Sequence, residues 1–175
     1  MGCVYLCIIN QLASLMAKII ILKGPEQVGK SSTLRILIGK LLKTSGVKLL
    51  YPDQSDLDHA FATDDDCLAI FELADGRKVG VITWGDPGYA EKVQNCVDIC
   101  LSHQCDVVVG AARSYLKPGS VFEVLYNLGA VPGNLLVVTT PFIVHNPPLD
   151  LTGNKRPQFY IPYNTACADS IYTII

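Results

Sequence analysis

The sequence predicts an α/β fold built on a mainly parallel sheet, with helices on both faces and one antiparallel hairpin. Three observations carry this. Short apolar runs alternate with amphipathic stretches along most of the chain. Half of the 175 residues are hydrophobic and only 17% are charged, the balance of a sheet buried on both faces. An Asp75-Gly76 pair joins two β-prone arms in the middle of the chain.

The elements follow in order. Residues 1–15 form an apolar extension outside the core, interrupted by Asn10 and Gln11. It is too short to span a bilayer. Met1-Gly2-Cys3 resembles an acylation signal, but position 6 is Leu where Ser or Thr is wanted. An upstream start explains the segment best, and a membrane-binding helix is the alternative. Residues 16–175 then read as a single domain, which is long enough for a full core. Ile19, Ile20, Ile21 and Leu22 make a buried strand over 18–23. A loop over 24–30 leads to a helix over 31–43. Its apolar residues Leu34, Leu37, Ile38, Leu41 and Leu42 recur at three and four, with Arg35, Lys40 and Lys43 on the wet side. Gly46 stops it, and 47–51 is a second strand.

Residues 52–66 hold six aspartates and little periodicity, which predicts an acidic loop with at most one helical turn around Leu57. Arms 68–74 and 77–84 form the hairpin, with a type I′ turn expected at Asp75-Gly76. A helix over 89–102, a strand over 105–111, a helix over 121–128 and a strand over 134–140 complete the alternation. Residues 141–162 are rich in Pro, Asn and Gly and read as loop, before a closing helix over 164–175.

Seven cysteines without a CxxC pair indicate neither a disulfide framework nor a zinc ribbon. They read as reduced core residues of a cytoplasmic protein. A metal site from Cys96, Cys100, His103 and Cys105 is the sharper alternative. Basic residues form no run or stripe, so nothing points to nucleic acid.

One motif carries chemistry. Gly24-Pro25-Glu26-Gln27-Val28-Gly29-Lys30-Ser31 matches GxxxxGK[ST], between an apolar strand and an amphipathic helix. Gly24 and Gly29 let the backbone turn and approach a phosphate. Successive N–H groups make a nest for oxygens, at the positive end of the helix. Lys30 supplies a point charge for β- and γ-phosphates, Ser31 a hydroxyl for Mg²⁺, and Ser32 a contact to the α-phosphate.

Through this motif, Walker A, the chain resembles the P-loop NTPase superfamily. The resemblance implies a Rossmann-like, three-layer α/β/α fold and an Mg²⁺-dependent nucleotide triphosphate as ligand. The reaction is left open. A second acid for Mg²⁺ belongs at the end of a neighbouring strand. Asp86, in Trp84-Gly85-Asp86-Pro87-Gly88, is the first candidate, with a helix cap or turn as its alternative role. Asp53, after the second strand, is the next. Arg113, beyond the strand over 105–111, is placed to reach a γ-phosphate. Lys155 and Arg156 are weaker candidates for base or phosphate contacts.

The order of helix and hairpin before Asp86 is similar to the DxxG region of Ras-like GTPases, but the residue three after Asp86 is Tyr89. The guanine-reading [NT]KxD has no match at Thr139-Thr140-Pro141-Phe142 or at Asn154-Lys155-Arg156-Pro157. ATP is therefore expected ahead of GTP. Compared with small-molecule kinases, the arginine-rich lid is reduced to Arg113 and Lys117. No glutamate follows Asp86 as in motor ATPases. An ATP hydrolase is the first expectation. A phosphotransferase to a small acceptor, or a nucleotide-binding module acting through a protein partner, are the alternatives.

Overall fold

The computed structural model describes residues 17–25, 29–113, 117–129, 135–139 and 161–175. The extension over 1–15, Glu26, Gln27 and Val28, nearly all of the 141–162 loop, and Lys155 and Arg156 lie outside these residues.

Six strands form one sheet: β1 Lys18–Lys23, β2 Lys48–Tyr51, β3 Leu68–Glu72, β4 Lys78–Ile82, β5 Val107–Ala112 and β6 Leu135–Thr139. Its order is β2-β3-β4-β5-β1-β6. β1 lies between β5 and β6 and runs parallel to both, as β4 does to β5. β3 alone is reversed, pairing antiparallel with β2 and β4. Five helices complete the described fold: α1 Lys30–Lys43, α2 Gln54–Thr63, α3 Ala90–Ser102, α4 Val121–Leu128 and α5 Ile161–Ile174.

The unbroken apolar run of β1 has a direct cause. Ile20 and Leu22 pack under Leu34, Leu37 and Ile38 of α1, Leu57 of α2, and Ala168 and Ile171 of α5. Ile19 and Ile21 face the opposite layer, against Val93 and Val97 of α3 and Leu125 of α4. Each fully buried Ile or Leu contributes about 1.5–3 kcal/mol relative to exposure, so a strand covered on both sides gains from every position.

Four expectations need correction. Residues 54–63 are a full helix where a loop was predicted. Its sole completely covered anchor is Leu57, and it ends at Asp64 with φ 58, where Asp65 N–H caps Ala60 O at 2.9 Å. Arg35 is not on a wet face: its side chain is 12% exposed and fastens the end of α2. Its Nη1 donates to Ala60 O at 3.2 Å, its Nη2 to Asp65 O, and its Nε pairs with Asp64 at 3.6 Å. Lys40 likewise meets Asp169 of α5.

The hairpin turn is not type I′, which needs two left-handed residues. Only Gly76 has positive φ, at 86, and Leu73 N–H reaches Arg77 O around a three-residue loop. Asp75 is not left-handed, and its carboxylate accepts Arg77 N–H at 3.1 Å and Arg77 Nε at 2.7 Å. The same contacts hold the Asp75 carboxyl below its ordinary range. The closing helix starts at Ile161, with Pro162 in the first turn, where a missing N–H costs nothing.

Cys67, Cys96, Cys100 and Cys105 are buried. Gly80 makes room for a pair of them: a Cβ there would lie 2.5 Å from Cys100 Sγ. The Cys100 thiol is pushed up by its hydrogen bond to Cys105 and then by burial. Among the described residues no group of three or more His, Cys, Asp or Glu is arranged to hold a metal ion, and no helix is long and apolar enough to cross a membrane.

Candidate functional site

The carboxyl edge of the sheet collects the residues singled out by the motif. Gly24 follows β1 directly, and its N–H bonds Ala112 O of β5 at 3.2 Å, so the loop leaves from an interior strand, one place in from the edge strand β6. Gly29 closes the loop in the left-handed region, φ 82 and ψ 22, and stands at the N-cap of α1. Only there can the chain reverse and enter a helix at once.

Lys30, the first residue of α1, is 6% exposed. Its Nζ donates to Pro25 O at 2.6 Å, drawing the two ends of the loop together. A lysine at this position is electrostatically costly. The helix already presents about half a positive charge there, and its first turn, Lys30-Ser31-Ser32-Thr33, contains no acid. The first N–H groups of a helix have no intrahelical acceptor. The helix end and the lysine together favour an anion at this position.

Ser31 faces inward along the edge. Its Oγ donates to Thr83 O, just past β4, at 3.1 Å. Thr83 was not anticipated. It is fully buried, and its own Oγ1 accepts Cys67 N–H at 2.7 Å. Ser32 is exposed. Nothing in the sequence pairs Ser31 with a residue 52 positions later.

Asn164 is a second residue that sequence reasoning missed. It comes from the first turn of α5, is 8% exposed, and lies directly against Gly29. A Cβ on Gly29 would fall 2.6 Å from Asn164 Oδ1 and 2.7 Å from Nδ2. Thus the last helix presses on the loop from the flank.

Asp86 and Arg113 are brought together. Arg113 Nε and Nη2 both donate to Asp86 Oδ1, at 3.3 and 3.2 Å. Asp86 is the more open of the two, with its side chain 56% exposed against 23%. It does not cap α3 with its carboxylate: its carbonyl closes the turn by accepting Tyr89 N–H at 3.4 Å. β4 stands two places from β1, and Asp86 lies three residues beyond Thr83, which touches Ser31. Asp53 is elsewhere. β2 is four places from β1, about 19 Å at the usual strand spacing, so the strand order separates Asp53 from the loop.

Beside the Asp86–Arg113 pair lies a cleft of about 220 Å³, between the turn after β4 and the turn before α4. A capping box shapes the latter: Ser120 Oγ accepts Glu123 N–H at 3.2 Å, and Glu123 Oε2 accepts Gly119 N–H at 2.7 Å. That Ser-x-x-Glu signal was present in the sequence.

Comparisons with protein-family models, with curated proteins and with solved structures give no match to this chain.

Proposed function

We propose that this chain binds the triphosphate of ATP with Mg²⁺ in the turn over residues 24–31, in the manner of P-loop NTPases, and hydrolyses it. One observation carries the reading. A buried ammonium, Lys30, sits at the acid-free head of α1, behind a left-handed glycine and at the end of the turn that follows the interior strand β1.

The donors fit a phosphate group. Lys30 Nζ donates to a neutral carbonyl, Pro25 O, and a charged phosphate oxygen is a stronger acceptor than that carbonyl. The left-handed backbone at Gly29 starts the helix abruptly, so that its first N–H groups face the loop. Ser31 Oγ would exchange its bond to Thr83 O for the metal. Bound Mg²⁺ would neutralise charge on the β- and γ-oxygens.

The remaining roles belong to side chains at the same edge. Asp86 would orient metal-bound water, and Arg113 would offset charge developing on the γ-phosphoryl group. Attack by water on the γ-phosphorus then breaks its bond to the β-bridging oxygen and gives ADP and phosphate. ATP is preferred to GTP in this reading because no guanine-reading motif stands after the late strand.

Calorimetry with MgATP and phosphate-release assays test the proposal through Lys30→Ala. Losing a hydrogen bond to a charged group costs about 1.5–3 kcal/mol, so binding is expected to weaken roughly ten- to hundred-fold, with turnover abolished. Unchanged affinity and turnover would place the site elsewhere.

A further inference from the structure

Polar side chains inside a protein are nearly always hydrogen-bonded, because an unmet donor or acceptor keeps its full desolvation cost. Among the described residues four polar or charged side chains are buried: Lys30, Thr33, Thr83 and Asn164. Lys30 donates to Pro25 O, and Thr83 exchanges hydrogen bonds with the backbone of Cys67. Thr33 lies in a helix, where a hydroxyl can turn to the carbonyl one turn back, as those of Thr63 and Thr173 do. Asn164 has no such recourse. Its carboxamide offers two N–H donors and an acceptor oxygen, and it makes no hydrogen bond among the described residues.

This amide is not stranded in the apolar core. It comes from the first turn of α5 and lies against the head of α1. A Cβ on Gly29 would fall 2.6 Å from Asn164 Oδ1, 2.7 Å from Nδ2 and 3.0 Å from Cγ, so the bare glycine is what lets the whole carboxamide come up to the loop. Gly29 is the N-cap of α1, and the buried Lys30 is the next residue. Asparagine is mostly a surface residue, and this one is held under cover beside a helix end that favours an anion. Being neutral, it adds a donor there without changing the charge.

We infer that Asn164 is a binding residue of the phosphate site, whose Nδ2 donates to an oxygen of a di- or triphosphate seated at the head of α1. The inference rests on the reading of residues 24–31 as a phosphate loop, and it adds a contact from outside the motif. A bound phosphate gives the amide the acceptor it lacks, and the site is incomplete until α5 is docked.

Calorimetry on the full chain, with MgATP and with pyrophosphate plus Mg²⁺, reads the contact. Asn164→Ala removes the amide and should weaken both ligands about tenfold or more. Asn164→Asp keeps the shape but sets a carboxylate against phosphate oxygens, and should weaken them further than Asn164→Ala does. The urea midpoint of Asn164→Ala without ligand should stay at the wild-type value, since no hydrogen bond is given up. Affinities within about twofold of wild type in both variants would overturn the inference. Equal weakening in the two, with a lower urea midpoint, would also overturn it, because that is the pattern of a side chain that only props the loop. MgATP binding that ignores both substitutions would leave the nucleotide reading standing without Asn164. Pyrophosphate bound and sensitive to Asn164→Asp, with MgATP not bound by the wild type, would overturn the nucleotide reading and keep Asn164. A wild type that binds neither would overturn both.

Discussion

Gly29→Ala tests how the loop is held, and its cost can be worked from two independent contributions. The first is conformational: φ is 82, and an L-residue in the left-handed region costs about 1–2 kcal/mol. The second is steric. The new Cβ would lie 2.6 Å from Asn164 Oδ1 and 3.0 Å from its Cγ, so the amide has to leave its place. Asn164 is buried, and driving such a side chain off its rotamer costs about 0.5–1.5 kcal/mol. The sum is about 1.5–3.5 kcal/mol. Asn164→Ala removes the second contribution and leaves the first. Urea unfolding of the wild type, the two single variants and the double variant forms a complete cycle. The double variant should recover about 0.5–1.5 kcal/mol of the loss caused by Gly29→Ala, which is a coupling of that size. A cycle in which the two substitutions simply add would refute the contact between α5 and the loop. A Gly29→Ala protein as stable as wild type would refute the left-handed conformation itself.

Other outcomes follow from contacts at the same edge. Thr83→Val keeps the shape but removes the acceptor of the buried Cys67 N–H, so unfolding should become easier by about 1–3 kcal/mol in a denaturant titration. Asp86→Asn breaks an ion pair whose acid is half exposed, so stability should shift by no more than about 1 kcal/mol. The Mg²⁺-dependent part of ATP affinity, measured by calorimetry with and without the metal, should nevertheless weaken. Burial pushes the Cys96 thiol up to about 11, above the ordinary thiol value of about 8.5. A raised value favours the protonated folded state, so this contribution is complete below the unfolded value. It is lost as pH rises through about 11, and unfolding midpoints measured between pH 8 and pH 11 should fall.

The core strands were legible because burial on both faces leaves runs such as Ile19–Leu22 with no polar interruption. Helices α1, α3 and α4 were legible because each repeats apolar residues at three and four toward a single layer. α2 was not, since Leu57 is its one fully covered side chain. What holds it is Arg35, on another helix, and an arginine between leucines reads as solvent-facing until its partners are known. Strand order was invisible for the same reason: β2 sits at the far edge from β6 by pairings that no local pattern encodes.

At the candidate site, the motif located Gly29, Lys30 and Ser31 because their constraints are local. The neighbours that hold them, Thr83 and Asn164, lie far along the chain. The arrangement of Asp86 with Arg113 was anticipated only as a shared edge, because two residues 27 positions apart are joined by sheet geometry.

The placement of Asn164 against Gly29 has a consequence for biosynthesis. Ribosomes deliver the turn over 24–31 early, yet one of its flanking walls belongs to a helix made more than a hundred residues later. Lys18 Nζ bonds Ile174 O and Thr44 Oγ1 lies 2.9 Å from Tyr172 Oη, so the same late helix also clasps both ends of the earliest strand-turn-helix unit. A nascent polypeptide stalled before that helix emerges would carry the turn without its lateral support. The lateral support of the loop therefore arrives only when α5 docks.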